Sequence, residues 1–451
     1  MNTPIYDFIT SYINRKTSRF HMPGHKGVPG FLGVEMRDIT EIDGADELYP
    51  AKGIIAESEQ NAGRIFGAHT FYSTEGSSLA IRAALALLVK WSKRVNPDKT
   101  PLILAGRNAH KTLINASVTL DFDIDWIMPM ESDAYESCRL SGDELDEILS
   151  AYAPSDLPVA LYVTSPDYLG NLLDIEALAK VCHCYGLLFF VDNAHGAYQK
   201  FLKPSLHPID LGADMCADSA HKTLPVLTGG AYLHISHNTD SFFMENAKKC
   251  LALFGSTSPS YLILQSLDLA NCELAKTDLS KIAGMVNDLK ETLASKGYTL
   301  VGKEALKLTI QLPDGNGKYF ADNLYSAQII PEYYDDEHIV FMISSHTTDA
   351  ELERLRDFLI KNAPSKTTTF PTAVTTLRVP APKKAMSAKE AFFAPSETVT
   401  PEEAVGRIMS GALLSCPPAV PLFMSGEIID ERILKYRTVY SDRDISVVKN
   451  N

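Results

Sequence analysis

The chain has 451 residues, 45% of them hydrophobic and 22% charged, with a formal net charge of −14 and seven cysteines. That balance belongs to a folded globular protein rather than a disordered one, and the negative charge repels a phosphate backbone, which argues against nucleic acid as a partner. The length allows about two or three domains. The cysteines are odd in number and scattered, which reads as reduced thiols of a cytoplasmic protein rather than a disulfide framework. The opening residues lack the apolar core of a signal peptide, and no stretch reaches the ~18 consecutive apolar residues of a membrane span, so no membrane partner is expected.

In chain order, a helical pattern from Ile5 to Ile13 runs into HMPGHKGVPGFLG, where glycines and prolines forbid a regular element. Residues 1–50 therefore read as an N-terminal arm and loop. Residues 51–275 alternate helix and strand signals. SSLAIRAALALLVKWSKRV predicts a helix, PLILAG a strand, HKTLINASVTL a helix, FDIDWIM a strand, PVALYVTS a strand, DIEALAKVCHCYG a helix ended by Gly186, and LLFFVD a strand. Strands without clear alternation are buried on both faces, so the fold class is α/β with a mostly parallel sheet under helices. Ligands of such sheets sit where strands end.

From about residue 276 to 451 the pattern is that of a smaller α+β domain. KIAGMVNDLKETLASKGYTLV predicts a long helix and turn, LKLTIQLP and HIVFMISS strands, and TDAELERLRDFLIKN an amphipathic helix opened by threonine and acids. A Pro-, Ser-, Thr- and Lys-rich stretch from Ala363 to Pro401 reads as a surface wrap before a last helix, EEAVGRIMSGALL.

Four segments carry candidate chemistry. In TEGSS, Gly76 lets the backbone approach a ligand, and Ser77 and Ser78 add hydroxyls to the free amides of a helix start, a way to hold phosphate; an ordinary serine cap would look the same. In RNAHK, His110 can lie on an aromatic cofactor or be a hydrogen-bonded histidine of the fold. In FFVDNAHGAY, Asp192 closes an apolar strand and needs a positive partner or donors, and His195 and Gly196 follow; a helix cap or turn former is the plainer reading. In ADSAHKT, Ser219, His221 and Lys222 follow a strand signal, and a lysine set in such a crevice has its charged form disfavoured and becomes a nucleophilic amine suited to an imine. About thirty residues separate Asp192 from Lys222. A phosphate cradle, an acid for a ring nitrogen, an imidazole for the ring face and an imine-forming lysine are together the parts that hold pyridoxal 5′-phosphate. Cys182, His183 and Cys184 lack a partner pair at zinc spacing and read as packing, so no metal is expected.

The sequence resembles the bacterial ornithine/lysine/arginine decarboxylases, pyridoxal-phosphate enzymes of aspartate-aminotransferase-like fold. RFHMPGHKG, FGAHTFYSTEGSSLAIRA, RNAHKT, TSPDYLGNLLDIEALAKV, VDNAHGAY, ADSAHKTLPVLTGGAYLH and STSPSYLILQSLDLA carry the match, with TTLRVPAPKKA and EEAVGRIMSGALLSCPPAVPLFMSGEII toward the end. The resemblance implies the seven-stranded type of sheet and decarboxylation of arginine, lysine or ornithine to the amine and CO2. It implies Lys222 as the covalent attachment point of the cofactor, Asp192 as partner of the pyridine nitrogen and His110 against the ring. Ser77, Ser78, Ser219 and His221 match phosphate-holding positions, and Thr257 matches a segment reaching the phosphate of a neighbouring subunit, so a homodimer or a multiple of one is expected. The proton for Cα falls to Lys222 or His195. The chain departs from the family at Asn193, where glutamate is common, at Asp218, where glutamine is frequent, at Gly229 and Gly230, and in CPPAVPLFMSGE; it reads as a short type without an extra N-terminal domain. Asp43, Asp46, Glu47 and Glu427 are candidates for a basic substrate side chain. An aminotransferase or carbon–sulfur lyase uses the same parts, as does a member that binds without turnover.

Overall fold

A computed structural model describes residues 1–130, 134–312, 316–364, 383–414, 419–431 and 444–449. Helix α1 (Pro4–Asn14) starts on a proline, whose missing N–H is harmless in a first turn, and buries Ile5, Ile9 and Tyr12 on one face. No helix or strand forms between it and α2 (Ile54–Phe66), as the glycines and prolines of that stretch foretell. There follow β1 (Ala68–Ser73), α3 (Gly76–Val95), β2 (Leu102–Gly106), α4 (Lys111–Leu120), β3 (Asp123–Ile127), α5 (Gly142–Ser150), β4 (Ala160–Thr164), α6 (Ile175–Cys184) and β5 (Leu188–Asp192). Gly186, at φ +74°, takes the left-handed turn that stops α6 before β5. Then come β6 (Met215–Asp218), α7 (Ala220–Thr223), β7 (Ala231–Ser236), α8 (Ser241–Phe254), α9 (Tyr261–Leu274) and α10 (Ser280–Ser295).

The chain forms two compact units, one from Met1–Val95 with Ile175–Ser280 and one from Asn96–Asp174 with Lys281–Asn451. The large sheet has seven strands. Those of the first unit run in the order β1-β7-β6-β5, with β5 parallel to β6, and with β7 antiparallel to both β6 and β1. Those of the second run β4-β2-β3, all parallel. The mostly parallel α/β reading therefore holds. Its physical signature is burial on both faces: Phe189, Phe190, Val191, Met215, Cys216 and Ala217 are all fully enclosed.

The second unit adds β8 (Thr299–Val301), where the sequence suggests only a turn, and β9 (Lys307–Gln311), α11 (Gly317–Ser326), β10 (Tyr333–Tyr334), β11 (His338–Met342) and α12 (Asp349–Lys361). The strands form an antiparallel sheet in the order β10-β11-β9-β8. Helix α12 opens on a capping box, Thr348 with Glu351, in line with its acidic first turn. Beyond it lie β12 (Lys383–Lys384), α13 (Ala388–Phe393), β13 (Ser396–Val399), α14 (Pro401–Ala404), β14 (Leu413–Leu414), β15 (Pro421–Phe423), β16 (Glu427–Ile428) and β17 (Ile445–Val448).

The expected last helix over EEAVGRIMSGALL does not form: α14 stops at Ala404. Gly406 takes φ +82° and gives its amide to the Ile429 carbonyl at 2.7 Å, and the Met409 amide bonds the Glu427 carbonyl at 2.9 Å. Cross-chain pairing thus satisfies the backbone that a helix would have satisfied locally. Met409 and Leu413 still reach a core with Leu422, Phe423, Ile429 and Val447. Much of the expected surface wrap, residues 365–382, and residues 415–418 of the terminal motif lie outside the described residues.

Candidate active site

Strands β5 and β6 are parallel neighbours, with Asp192 opposite Ala217. Their C-terminal ends carry Asp192 and Asp218, both buried. The β5 backbone continues past Asp192, whose Oδ1 accepts a bond from the Ala194 amide at 3.3 Å, and delivers His195, 5% exposed. The β6 backbone turns at Ser219 into the single turn α7, with the Lys222 amide bonded to the Ser219 carbonyl at 3.0 Å. These two departures bring Lys222 Nζ to 2.8 Å from His195 Nε2. An ammonium can only donate, so against a lysine cation this bond needs an unprotonated Nε2, and a neutral His195 then carries its proton on Nδ1.

The TEGSS stretch stands in the same unit. Gly76 takes φ +72°, and its amide bonds the Gly229 carbonyl at 2.7 Å. A Cβ placed at Gly76 would meet nothing within 4 Å, so the turn faces open space. Ser77 Oγ accepts from Ser219 Oγ at 2.7 Å, which joins the start of α3 to the residue that opens α7. Ser78, half-buried, is the next residue of α3. Thr257 lies in an exposed loop, and the amide of its neighbour Ser256 bonds Glu75 Oε1 at 2.7 Å. The amide and ring Nδ1 of His221 both bond the Gly230 carbonyl, at 3.1 and 3.0 Å. Burial, then the charge of Lys222, hold His221 below the usual histidine range, against the bond to Gly230. His110 belongs to the other unit, where it caps α4: its Nδ1 accepts from the Thr112 amide at 3.2 Å and lies 2.7 Å from Thr112 Oγ1.

The residues present fit pyridoxal 5′-phosphate. Open space at a left-handed glycine, hydroxyls at the start of a long helix, a buried carboxylate at a strand end and an amine bonded to an imidazole supply what phosphate, ring nitrogen and aldehyde require.

Of the acids considered for a substrate side chain, two have other work. Asp46 binds the amides of Lys52, Gly53 and Ile55 at 2.8 to 3.0 Å, at the start of α2; despite some burial, amides of Lys52, Glu47, Gly53 and Ala56 keep its carboxyl below the usual range. Glu427 pairs with Arg107. Asp43 and Glu47 are exposed. Cys182 is buried, Cys184 exposed, and His183 pairs with Asp214 at 3.2 Å. Sequence reasoning did not single out His207 and His234, fully buried residues whose Nε2 atoms stand 3.0 and 3.3 Å from Asp218 Oδ2. Isolated histidines without a motif gave no signal.

The large, mainly parallel sheet is that of the aminotransferase-like α/β enzymes. The structure is similar to that of the Francisella novicida lysine decarboxylase LdcF, with a TM-score of 0.79 at 17% identity over 99% of this chain and 81% of that one. In sequence the chain is 29% identical to the uncharacterized protein YaaO of Bacillus subtilis, covering 95% of this chain and 92% of YaaO. It is also 29% identical to an arginine decarboxylase of Halalkalibacterium halodurans, covering 96% and 92%. The description of the Orn/Lys/Arg decarboxylase major domain matches residues 3–296. The chain belongs to the Orn/Lys/Arg decarboxylase family and is an amino-acid decarboxylase by that membership.

Proposed function

We propose that this chain decarboxylates a basic amino acid, arginine, lysine or ornithine, with pyridoxal 5′-phosphate as cofactor. The observation that carries the reading is the 2.8 Å bond between Lys222 Nζ and His195 Nε2 at the end of β6, one strand from the buried Asp192. The cofactor supplies the electron sink for the pair released when the Cα–carboxylate bond breaks.

In this reading residues 51–275 hold the cofactor and residues 276–451 form the smaller domain. Lys222 Nζ is the attachment point, and Asp192 keeps a proton on the ring nitrogen by placing a carboxylate there. Ser77, Ser78 and Ser219 hold the phosphate, with Gly76 leaving room for it; His221 shapes the same corner through Gly230, and Thr257 serves the phosphate of a second subunit in a homodimer. His110 is assigned to the ring face on the resemblance. His195 Nε2 exchanges a proton with Lys222 Nζ, and one of these two atoms returns the proton to Cα. Among the described residues no helix is long and apolar enough to cross a membrane, which is compatible with a cytoplasmic site of action.

The test is an absorption spectrum of the purified chain with added pyridoxal 5′-phosphate, followed by L-arginine, L-lysine and L-ornithine with detection of amine and CO2. Visible absorption and amine release from one of the three are expected, and Lys222→Ala should lose the borohydride-sensitive absorption together with nearly all turnover. A keto acid in place of CO2, or full activity in Lys222→Ala, refutes the reading.

A further inference from the structure

The ladder between β5 and β6 ends where Asn193 donates its amide to the Ala217 carbonyl at 3.0 Å. Beyond that point the backbones part, one toward His195 and the other toward Lys222. At the point of parting a buried side-chain bond joins the two ends, from Asn193 Nδ2 to Asp218 Oδ1 at 2.7 Å. The other oxygen of Asp218 faces His207 Nε2 at 3.0 Å, from the segment between β5 and β6, and His234 Nε2 at 3.3 Å, from β7. His234 Nδ1 in turn lies 2.9 Å from Thr70 Oγ1 on β1. Asn193, His207, Asp218 and His234 are all fully enclosed. A carboxylate in such a place is retained only where its donors are held in position, and each element that supplies a donor is held by it in return.

We infer that Asp218 and Asn193 are positioning residues for the reaction at Lys222: they clamp the end of β5 to the end of β6 and so fix where Asp192 and His195 stand relative to the lysine. This rests on the assignment of Lys222 and Asp192 to the cofactor. Neither residue touches the reacting atoms.

The experiment compares Asp218→Asn, Asn193→Asp and the double variant Asn193→Asp/Asp218→Asn, which returns one amide and one carboxylate with donor and acceptor exchanged. Each single variant should move the visible absorption of bound pyridoxal 5′-phosphate and lower kcat about 100-fold, the scale of a small misplacement of reacting groups, with KM changed less than about 3-fold. The double variant should recover the absorption and most of kcat. Singles with wild-type absorption and kcat overturn the inference, as does a double variant that recovers nothing. So does a stoichiometric metal ion lost in Asp218→Asn, since ligand atoms of His207, Cys216 and Asp218 lie within 4.8 Å of one another and would then be a metal site. Should the wild-type chain take up no pyridoxal 5′-phosphate, the functional reading fails separately. The clamp is then judged by hydrogen exchange at residues 193–195 and 220–222, which must quicken in both singles and recover in the double.

Discussion

Arg107 and Glu427 close a buried two-point ion pair, Nη1 to Oε1 and Nη2 to Oε2 both at 2.9 Å, with side chains only 1% and 6% exposed. The guanidinium also donates to the Leu422 carbonyl at 2.9 Å and lies 5.0 Å from the centroid of the Trp126 ring, and Glu427 accepts from the Met424 amide at 2.9 Å. A pair this enclosed is costly to break from one side, because the remaining charge has no water to turn to. Glu427→Ala should therefore lower stability by about 3–5 kcal/mol, read as a drop in the denaturation midpoint. A midpoint unchanged from wild type would show the pair to be incidental.

Glu136 offers a pH test. Burial, then the charge of Asp335, push its carboxyl up to about 8 from an ordinary 4.5, with His338 working the other way. A folded value above the unfolded one means that the folded state holds the proton more tightly. The associated stability is present below about 4.5 and is lost as pH rises through about 8. Glu136→Gln, which cannot ionise, should gain on wild type by about 2 kcal/mol between pH 6 and pH 8. Thermal midpoints of the two proteins that stay parallel across that range would refute the assignment.

The first helix hangs on one acid. Asp268 Oδ2 accepts from the amides of Ile5 and Tyr6 at 2.9 and 3.0 Å, Oδ1 accepts from Ser58 Oγ at 2.6 Å, and burial pushes the carboxyl up to about 6 against these bonds. Asp268→Ala leaves two amides and a hydroxyl without their acceptor, at about 1–3 kcal/mol each if they stay buried. Hydrogen exchange of α1 should rise well before that of β5 and β6. Uniform acceleration over the whole first unit would instead mean global destabilisation.

Gly229 takes φ +100°, and a Cβ there would lie 2.9 Å from the Thr74 carbonyl oxygen, against backbone that cannot swing aside. Its own carbonyl receives the Gly76 amide. Gly229→Ala should displace the TEGSS turn and weaken pyridoxal 5′-phosphate binding about 10-fold or more, roughly 1.4 kcal/mol, in a fluorescence titration. Wild-type affinity in the variant would separate Gly229 from the cradle.

His195→Gln removes the imidazole bonded to Lys222 Nζ while keeping a polar side chain there. The expected outcome is a kcat lowered about 100-fold, the usual scale for a displaced acid–base group, with cofactor absorption retained. Wild-type kcat would assign the proton exchange elsewhere.

What could be read from residues alone follows the range over which each interaction acts. Asp192, His195, Ser219 and Lys222 stand within a few residues of strand ends, and runs such as FFVD and the alternating helix–strand order announce those ends, so the placement of these residues at strand ends is legible from local pattern. The capping box at Thr348 was legible for the same reason. Arg107 and Glu427 lie 320 positions apart, and nothing local in MSGEII tells a free substrate-facing acid from one neutralised in a core. The missing helix after Ala404 is a case of the same kind: the apolar spacing of VGRIMSGALL suits a helix, but Gly406 and backbone pairing with residues 427 and 429 decide otherwise.

Lys222 rides on a short span stitched at both ends, its own amide to Ser219 and that of His221 to Gly230. With the main chain pinned there, the reach of the amine is set by the length of its aliphatic arm rather than by movement of the loop. Shortening or lengthening that arm by one methylene, by chemical replacement at this position, would then shift the nitrogen with no compensating adjustment from below, and attachment of an aldehyde ligand would fall sharply in either direction.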